Sequence, residues 1–222
     1  MIKIVILAAG KGKRMKSELP KVLVRLKNKP MIEYLVKACV ESRVDLHPVI
    51  VVSPDNKELI SNALKKYNCE YAIQKEQLGT GDALLCAKQV IGKNVDYVLC
   101  LYGDHPFFKS ATIKRIAHSH SGAITMMTTG VKDFKGWRKN FYCWGRVLRN
   151  FGRIKEIVEF KDAEEKIKKI REVNPAIYCF ATDWLWQNIK KLNNSNAQCE
   201  YYLTDLIKAA FKQGLNIGSF PI

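Results

Sequence analysis

Apolar runs alternate along the first half of the chain with stretches whose apolar residues recur at helical spacing. Buried strands are predicted over residues 3–8, 49–52, 71–73 and 97–101. Helices are predicted between them over residues 30–43, over residues 53–64 with Ser53 as the cap, and over residues 82–90 after a Gly79-Thr80-Gly81 loop. Strands that alternate with helices are typical of parallel sheets. We therefore predict an α/β, Rossmann-like doubly wound, mostly parallel sheet, whose ligands bind at the carboxyl ends of the strands.

The second half has a different pattern. Strands are predicted over residues 123–129 and 177–180, a β-hairpin over 145–148 and 154–160 that turns at Asn150-Phe151-Gly152, and helices over 162–170 and 203–212. Gly214 is a suitable residue to end the last helix. No low-complexity linker and no internal repeat separates the halves. We predict a single domain, residues 1–222, whose halves share one sheet.

Composition excludes several classes of protein. No apolar run reaches the ~18 residues of a membrane helix, and the opening apolar stretch is too short for a signal peptide. The seven cysteines contain no Cys-x-x-Cys pair, so neither a disulfide framework nor a zinc site is predicted. This cysteine usage favours a cytoplasmic protein.

The net charge of +16 would suit nucleic acid, an anionic membrane surface or small phosphorylated substrates. The basic residues are spread over most of the chain, and no basic segment alternates with aromatic residues as a single-strand binding platform would. We therefore expect a solvated basic surface, with no nucleic-acid partner and no membrane partner.

The loop after the first strand carries a phosphate-binding pattern, Leu7-Ala8-Ala9-Gly10-Lys11-Gly12-Lys13-Arg14-Met15. Small residues let successive backbone N–H groups face a phosphate, and the cations that follow neutralise it. Met15 stands where the dinucleotide fingerprint needs a third small residue, and the GxxxxGK[ST] phosphate loop does not occur in the sequence. An ordinary β–α turn is the alternative. The basic cluster, with Lys21 shortly after it, favours phosphate binding.

Asp104 ends the predicted central strand and is followed by a loop. A carboxylate there is a suitable hard-oxygen ligand for Mg²⁺, which bridges substrate phosphates and keeps several waters. The alternative for Asp104 is a turn cap. The histidines are interpreted as loop or surface residues.

The segment LAAGKGKRM, followed by LPKVL, resembles the signature of the sugar nucleotidyltransferases. Further motifs follow in the family's order: Gln74-Lys75-Glu76-Gln77-Leu78-Gly79-Thr80-Gly81, Tyr102-Gly103-Asp104 and Gly145-Arg146-Val147. The segments 157–163, 172–174 and 196–205 are similar to the N-terminal uridylyltransferase domain of the bifunctional bacterial enzymes that acetylate glucosamine-1-phosphate and then uridylylate it. The resemblance covers the chain essentially end to end.

The resemblance implies transfer of a uridylyl group from UTP to N-acetylglucosamine-1-phosphate, with Mg²⁺ as cofactor. It implies a nucleotide-binding half, residues 1–120, and a sugar-binding half, residues 121–222. The implied nucleotide contacts are Leu7, Ala8, Ala9, Gly10, Gln74, Gly79 and Thr80. The implied catalytic residues are Arg14, Lys21 and Asp104, with Asp104 also the metal ligand. The implied substrate contacts are Tyr102, Gly103, Gly145, Glu159 and Asn174, where Glu159 accepts from sugar hydroxyls and Asn174 contacts the sugar or the ribose.

The chain also departs from the family pattern. The family's second metal ligand, an asparagine, belongs to a loop beyond residue 222, and the hexapeptide repeats of the acetyltransferase β-helix are absent from the sequence. Trp144, Ala176 and Cys199 replace residues common in the family. We expect a monomer or a weak homo-oligomer. A related transferase with another nucleotide or sugar phosphate, and a catalytically weak homologue that binds nucleotide-sugars, remain the alternatives.

Overall fold

The computed structural model of the protein describes residues 1–10 and 19–221. The strands are β1 (Ile2–Leu7), β2 (Arg25–Leu26), β3 (Lys29–Pro30), β4 (Val49–Val52), β5 (Glu70–Ile73), β6 (Tyr97–Tyr102), β7 (Ile124–Gly130), β8 (Arg146–Asn150), β9 (Arg153–Val158), β10 (Glu172–Val173), β11 (Tyr178–Ala181) and β12 (Ile217–Pro221). The α-helices are α1 (Met31–Ser42), α2 (Lys57–Ala63), α3 (Thr80–Ala87), α4 (Ser110–His118), α5 (Glu165–Lys168), α6 (Thr182–Asn188) and α7 (Asp205–Lys212). Short 3₁₀ helices occupy Lys21–Leu23, Gly136–Phe141 and Ile189–Lys191.

One sheet runs through both halves of the chain. Within the described residues it has ten strands in the order β5-β4-β1-β6-β11-β7-β10-β8-β9, and β12 pairs with β7. The strands β5, β4, β1 and β6 are parallel, and β11 runs antiparallel between β6 and β7. The predicted Rossmann-like, mostly parallel α/β sheet is thereby confirmed. The functional division at residue 120 stays a prediction.

Both faces of the sheet are covered by apolar packing. Val5 and Leu7 belong to one buried cluster, which includes residues of α3, α6 and α7. Ile4 and Ile6 belong to the other, which includes residues of α1 and α4. Successive side chains of a strand point to opposite faces, so a continuous apolar run such as β1 is what a strand covered on both faces needs. No helix in the described ranges is long and apolar enough to cross a membrane.

Two predicted helix starts were wrong. Ser53 caps no helix: α2 begins four residues later, after a turn in which the backbone N–H groups of Asn56 and Lys57 donate to the Ser53 carbonyl. The helix that was predicted to begin at residue 82 begins at Thr80. Within the Gly79-Thr80-Gly81 segment only Gly79 has a positive φ, 117°, which a helix does not allow, so Thr80 and Gly81 can belong to the helix. The hairpin turn is confirmed, with Phe151 and Gly152 at φ values of 46° and 78°.

Candidate active site

A cavity of about 430 Å³ lies where the chain leaves several strands of the sheet. Seven residues that the sequence predicts for the site line it: Lys21, Thr80, Tyr102, Asp104, Gly145, Glu159 and Asn174. A larger cavity of about 710 Å³ is also lined by Glu159. None of the other six predicted residues lines this larger cavity, although Tyr202 lines both. Since the smaller cavity combines residues from both halves of the chain, we take it as the candidate site.

Lys21 and Asp104 form an ion pair on the wall of this cavity. The Lys21 ammonium lies 2.5 Å from Oδ2 of Asp104, while the His105 Nε2 is 3.9 Å from Oδ1. Burial raises the pKa of the Asp104 carboxyl, but the hydrogen bond from Lys21 and the nearby His105 more than offset this, so that its pKa lies below the ordinary value. Asp104 is therefore an anion at neutral pH.

The Asp104 carboxylate also suits a magnesium ion. The hydrogen bond from Lys21 goes to Oδ2, and 3.9 Å is too long for a hydrogen bond between His105 and Oδ1. No side chain in the described residues donates a hydrogen bond to Oδ1, so a cation could approach it. Within residues 1–10 and 19–221 no group of three or more His, Cys, Asp or Glu is placed to hold a metal. One carboxylate, with substrate phosphates and water completing the coordination, is a common arrangement for Mg²⁺.

Glu159 follows β9 and presents a half-buried carboxylate to the cavity. The Thr204 hydroxyl donates to Oε1 at 3.1 Å. Burial raises the pKa of Glu159 above its ordinary value, and the carboxylates of Asp162, Asp205 and Glu200 contribute in the same direction. A substrate hydroxyl that donates to Glu159 would meet a weakly solvated, strong acceptor.

Gly145 and Asn174 form the wall beside Glu159. A Cβ atom on Gly145 would come within 2.9 Å of the Ile157 side chain and 3.4 Å of Glu159 Oε2, so the backbone here lies directly against the carboxylate. The Asn174 backbone N–H donates to the Gly145 carbonyl at 2.9 Å. The Asn174 side chain donates to the Tyr178 hydroxyl at 2.6 Å and accepts from the Ala176 N–H at 2.9 Å, which leaves part of its amide for a ligand.

The predicted nucleotide contacts at the end of β1 lie apart from this cavity. The Leu7 carbonyl accepts from the Gly103 N–H at 2.9 Å, and the Ala8 N–H donates to Val51 at 2.8 Å. The carbonyls of Ala8 and Ala9 accept from the side chains of Asn56 and Gln77, at 3.1 and 2.8 Å. Gly10 is exposed, and no atom of residues 1–10 or 19–221 lies within 4 Å of an added Cβ. Arg14 lies outside the described residues.

Gln74 is buried, whereas a side chain that freely contacts a nucleobase would be accessible. Only 3% of its surface is exposed, and its Nε2 donates to the Gly79 carbonyl at 3.1 Å and to the Asp82 carboxylate at 2.7 Å. Both amide hydrogens are thus engaged, which leaves the amide oxygen as the atom for a nucleobase. Gln74 also fixes the start of α3, where Gly79 and Thr80 lie.

A strap of residues 196–203 crosses the start of α3. The Tyr201 N–H donates to Leu78 at 2.7 Å, and its carbonyl accepts from the Gly81 N–H at 2.8 Å. A Cβ on Gly79 would come within 2.7 Å of the Tyr201 backbone. The Thr80 hydroxyl accepts from the Leu203 N–H at 3.0 Å. The strap therefore joins the predicted nucleotide contacts at residues 79 and 80 to the cavity, which its own side chains Gln198, Glu200 and Tyr202 also line.

Several residues that support the site were not predicted from the sequence. Asn56, Gln77 and Asp82 hold the backbone or side chains of predicted contacts, and Thr204 holds Glu159. Cys143 contributes to the cavity wall. Of these residues, only Asp82 could have been predicted from the sequence, because it directly follows the Gly-Thr-Gly segment. The other residues act through contacts between segments that are distant in sequence.

The chain is similar to known nucleotidyltransferases in sequence and in fold. The family model of the MobA-like NTP transferase domain matches residues 4–196. The chain is 39% identical over 221 residues to the bifunctional protein GlmU of Clostridium acetobutylicum, covering 98% of this chain and 46% of that protein. It is 36% identical over 222 residues to the bifunctional protein GlmU of Clostridium botulinum, covering 98% and 47%. The chain thus spans about half the length of these relatives.

A solved structure with the same fold is the inositol-1-phosphate CTP transferase from T. maritima. Its TM-score to this chain is 0.77 at 16% sequence identity, and the match covers 99% of this chain and 84% of that one. At this identity the likeness establishes the fold and nothing more.

Proposed function

This chain belongs to the MobA-like NTP transferase family, and we propose that it transfers a uridylyl group from UTP to N-acetylglucosamine-1-phosphate. The products are UDP-N-acetylglucosamine and pyrophosphate. One observation carries the proposal: the Lys21–Asp104 ion pair lies on the wall of a cavity that Thr80, from the predicted nucleotide side, shares with Glu159, from the predicted sugar side. The sequence resemblance supports the choice of UTP and N-acetylglucosamine-1-phosphate.

The reaction asks the protein mainly to position groups and to neutralise charge. A phosphate oxygen of the sugar-1-phosphate attacks the α-phosphorus of UTP. The new O–P bond forms as the bond between the α-phosphorus and its bridging oxygen breaks, and pyrophosphate leaves with that oxygen. Lys21, whose ammonium is a mobile point charge on a flexible stem, binds the phosphates at this centre. Arg14 is proposed to assist on the triphosphate.

Asp104 is the proposed magnesium ligand. When bound, Mg²⁺ supplies Lewis-acid neutralisation of the phosphate oxygens. The low pKa of Asp104 keeps the carboxylate ionised for this purpose at neutral pH. In the free protein the Lys21 ammonium compensates the charge of this half-buried carboxylate.

The nucleotide is proposed to bind at the carboxyl ends of β1 and β5. The backbone of residues 7–10 and of Gly79 approaches it closely, and the Gln74 amide oxygen accepts from the uracil N–H. Tyr102 and Gly103 form the floor between nucleotide and sugar. The Gly103 position admits little more than a hydrogen, since an added Cβ would lie 3.0 Å from the Val22 side chain and 3.2 Å from the Leu7 carbonyl.

The sugar is proposed to occupy the cavity itself. The Glu159 carboxylate accepts from sugar hydroxyls, and the backbone of Gly145 and the free part of the Asn174 amide complete the polar contacts. Three carboxylates, those of Asp104, Glu159 and Glu200, line the cavity with Lys21 as its one described cation. This charge distribution suits a polyhydroxylated ligand that carries a single phosphate at the Lys21 end.

The proposal is tested by pyrophosphate release over a panel of donors and acceptors. UTP, CTP, GTP and dTTP are each combined with N-acetylglucosamine-1-phosphate, glucose-1-phosphate and inositol-1-phosphate, with and without Mg²⁺. Release that requires UTP, N-acetylglucosamine-1-phosphate and Mg²⁺ together supports the proposal. A preference for another pair would reassign the substrates. Silence over the whole panel, with tight binding of UDP-N-acetylglucosamine, would instead indicate a nucleotide-sugar-binding homologue.

A further inference from the structure

Arg146, the first residue of β8, is a buried charge that has no acidic partner among the residues that the structure describes. Its side chain is fully buried, and its described hydrogen-bond acceptors are backbone carbonyls rather than carboxylates. Arginine stays protonated in proteins, and burying a charge is costly unless its donors are satisfied. A residue used only to fill space would be replaced at lower cost by an apolar side chain.

The Arg146 guanidinium donates hydrogen bonds to backbone carbonyls of two separate segments, one at Lys168 and one at Tyr142 and Trp144. Nε and Nη2 donate to the Lys168 carbonyl at 3.2 and 3.1 Å, and Nη2 also donates to the Tyr142 carbonyl at 2.8 Å. Nη1 donates to the Trp144 carbonyl. A planar fork with five N–H donors can make this set of contacts, whereas an ammonium group cannot reproduce its geometry.

Aromatic rings surround the guanidinium. Its Cζ lies 4.7 Å from the ring centre of Phe134, 5.5 Å from that of Tyr142 and 5.8 Å from that of Phe160. The Tyr142 ring packs edge-on against both other rings, with centroid distances of 5.3 and 5.0 Å. The rings stabilise the cation by cation–π contacts, and the carbonyls accept its N–H groups.

The backbone that Arg146 holds is the wall of the candidate active site. Cys143, Trp144 and Gly145 all line the cavity, and Gly145 connects to Asn174 by a hydrogen bond and lies against Glu159. Arg146 itself does not line the cavity. A shift of the Trp144 carbonyl would therefore move the Gly145 backbone relative to the proposed sugar contacts.

We propose that Arg146 is a positioning residue for the acceptor sugar-1-phosphate: it fixes the segment 142–145 at the distance from Glu159 and Asn174 that the sugar needs. This rests on the proposed function for the identity of the ligand. A displacement of about 1 Å can cost on the order of 100-fold in rate, so a residue outside the cavity can control use of the acceptor.

The kinetic test compares Arg146→Lys and Arg146→Met with Arg149→Met as a matched control. Arg149 lies on the same strand, pairs with Glu172 through contacts of 2.9 and 2.7 Å and does not line the cavity. In the Arg146 variants we expect kcat/KM for N-acetylglucosamine-1-phosphate to fall about 10- to 100-fold, mainly through KM. KM for UTP should change little, and Arg146→Lys should retain more acceptor affinity than Arg146→Met. Equal losses for both substrates, or no loss, would overturn the proposal.

A second test does not depend on activity. Cys143 and Cys199 are both exposed, so their alkylation by iodoacetamide can be followed by peptide mass spectrometry. In Arg146→Lys the alkylation rate of Cys143 should rise, while the alkylation rate of Cys199 should stay as in the wild type. An unchanged Cys143 rate in the folded variant would contradict positioning, even if the wild type proved inactive with every substrate pair. Failure of both Arg146 variants to fold would assign Arg146 to stability alone and likewise overturn the proposal.

Discussion

The ammonium nitrogen of Lys21 lies 2.5 Å from a carboxylate oxygen of Asp104, although 83 positions separate the two residues in the chain. The pair joins the 3₁₀ turn after the first loop to the end of β6, on the wall of the candidate active site. Each partner compensates the other's charge in the free protein. In the proposed reaction Lys21 would bind substrate phosphates and Asp104 would hold Mg²⁺.

Asp104→Asn should remove most turnover while leaving the fold intact. The amide keeps the shape of the carboxylate but loses the charge that a Mg²⁺ ligand needs, so we expect kcat/KM to fall on the order of 100-fold or more. Asp96→Asn is the matched control, because Asp96 lies before the opposite end of β6 and is exposed, where it pairs with the N-terminal ammonium. Pyrophosphate release measures turnover, and circular dichroism checks that the fold is intact.

Two outcomes would contradict the assignment of Asp104. Full Mg²⁺-dependent activity in Asp104→Asn would remove the metal-ligand role. An equal loss in Asp96→Asn would show that the effect is a general consequence of the substitution rather than a property of the cavity.

Glu159→Gln should make the protein more stable at neutral pH and less able to use the sugar phosphate. The folded state raises the pKa of Glu159 by burial, so it favours the protonated carboxyl. The stability that protonation contributes is complete below the ordinary value of 4.5 and is lost as the pH rises through the raised pKa. Glutamine does not titrate, so the difference in Tm should be positive at neutral pH and shrink toward pH 4.5.

Thermal unfolding over this pH range checks the sign of the Glu159 effect. A gain of about 1 kcal/mol corresponds to a rise in Tm of about 2–4 °C for a chain of this size. Activity should fall about tenfold or more, because a charged hydrogen-bond acceptor is lost. A variant that is less stable at neutral pH would show that the ionised carboxylate stabilises the fold.

Gly79→Ala should destabilise the strap of residues 196–203 and with it the site. A methyl group there would meet the Tyr201 backbone at 2.7 Å, and the residue has a φ of 117°. Close packing and a glycine-only conformation each cost roughly 1–3 kcal/mol when violated. Gly92→Ala is the control, because an added Cβ meets no atom of the described part of the chain within 4 Å and the φ of Gly92 is not in the positive range. Urea unfolding of both variants measures the difference, and equal midpoints would refute the packing role of Gly79.

The apolar pattern of the sequence predicted the sheet, because the burial of a strand determines which of its residues must be apolar. A strand covered on both faces, such as β1 or β4, needs an uninterrupted apolar run, and the runs at residues 3–8 and 49–52 fall where these strands lie. Lys21, Asp104 and Glu159 were also predicted for one site, and the structure brings them to one cavity. Asp104 could be found because the carboxyl end of a central parallel strand is where such folds bind ligands.

Contacts between distant segments could not be predicted in the same way. The reason for glycine at position 79 is the backbone of Tyr201, which only the folded chain brings to it. Gln74 was expected to contact the nucleotide, but Asp82 and Gly79 accept both of its amide hydrogens, so it could contact a base with its oxygen alone. Ala176 and Cys199, which depart from the family pattern, have φ values of 58° and 53°. Their turns form without the glycine that a sequence pattern would look for.

The most direct test of the account is ³¹P NMR of the wild-type protein with UTP, N-acetylglucosamine-1-phosphate and Mg²⁺. If the chain catalyses the proposed transfer, the signals of UTP and the sugar phosphate should decline together. A sugar-nucleotide diphosphate and pyrophosphate should grow in equal amounts in their place. Unchanged substrate signals, or release of orthophosphate without a diphosphate product, would contradict it.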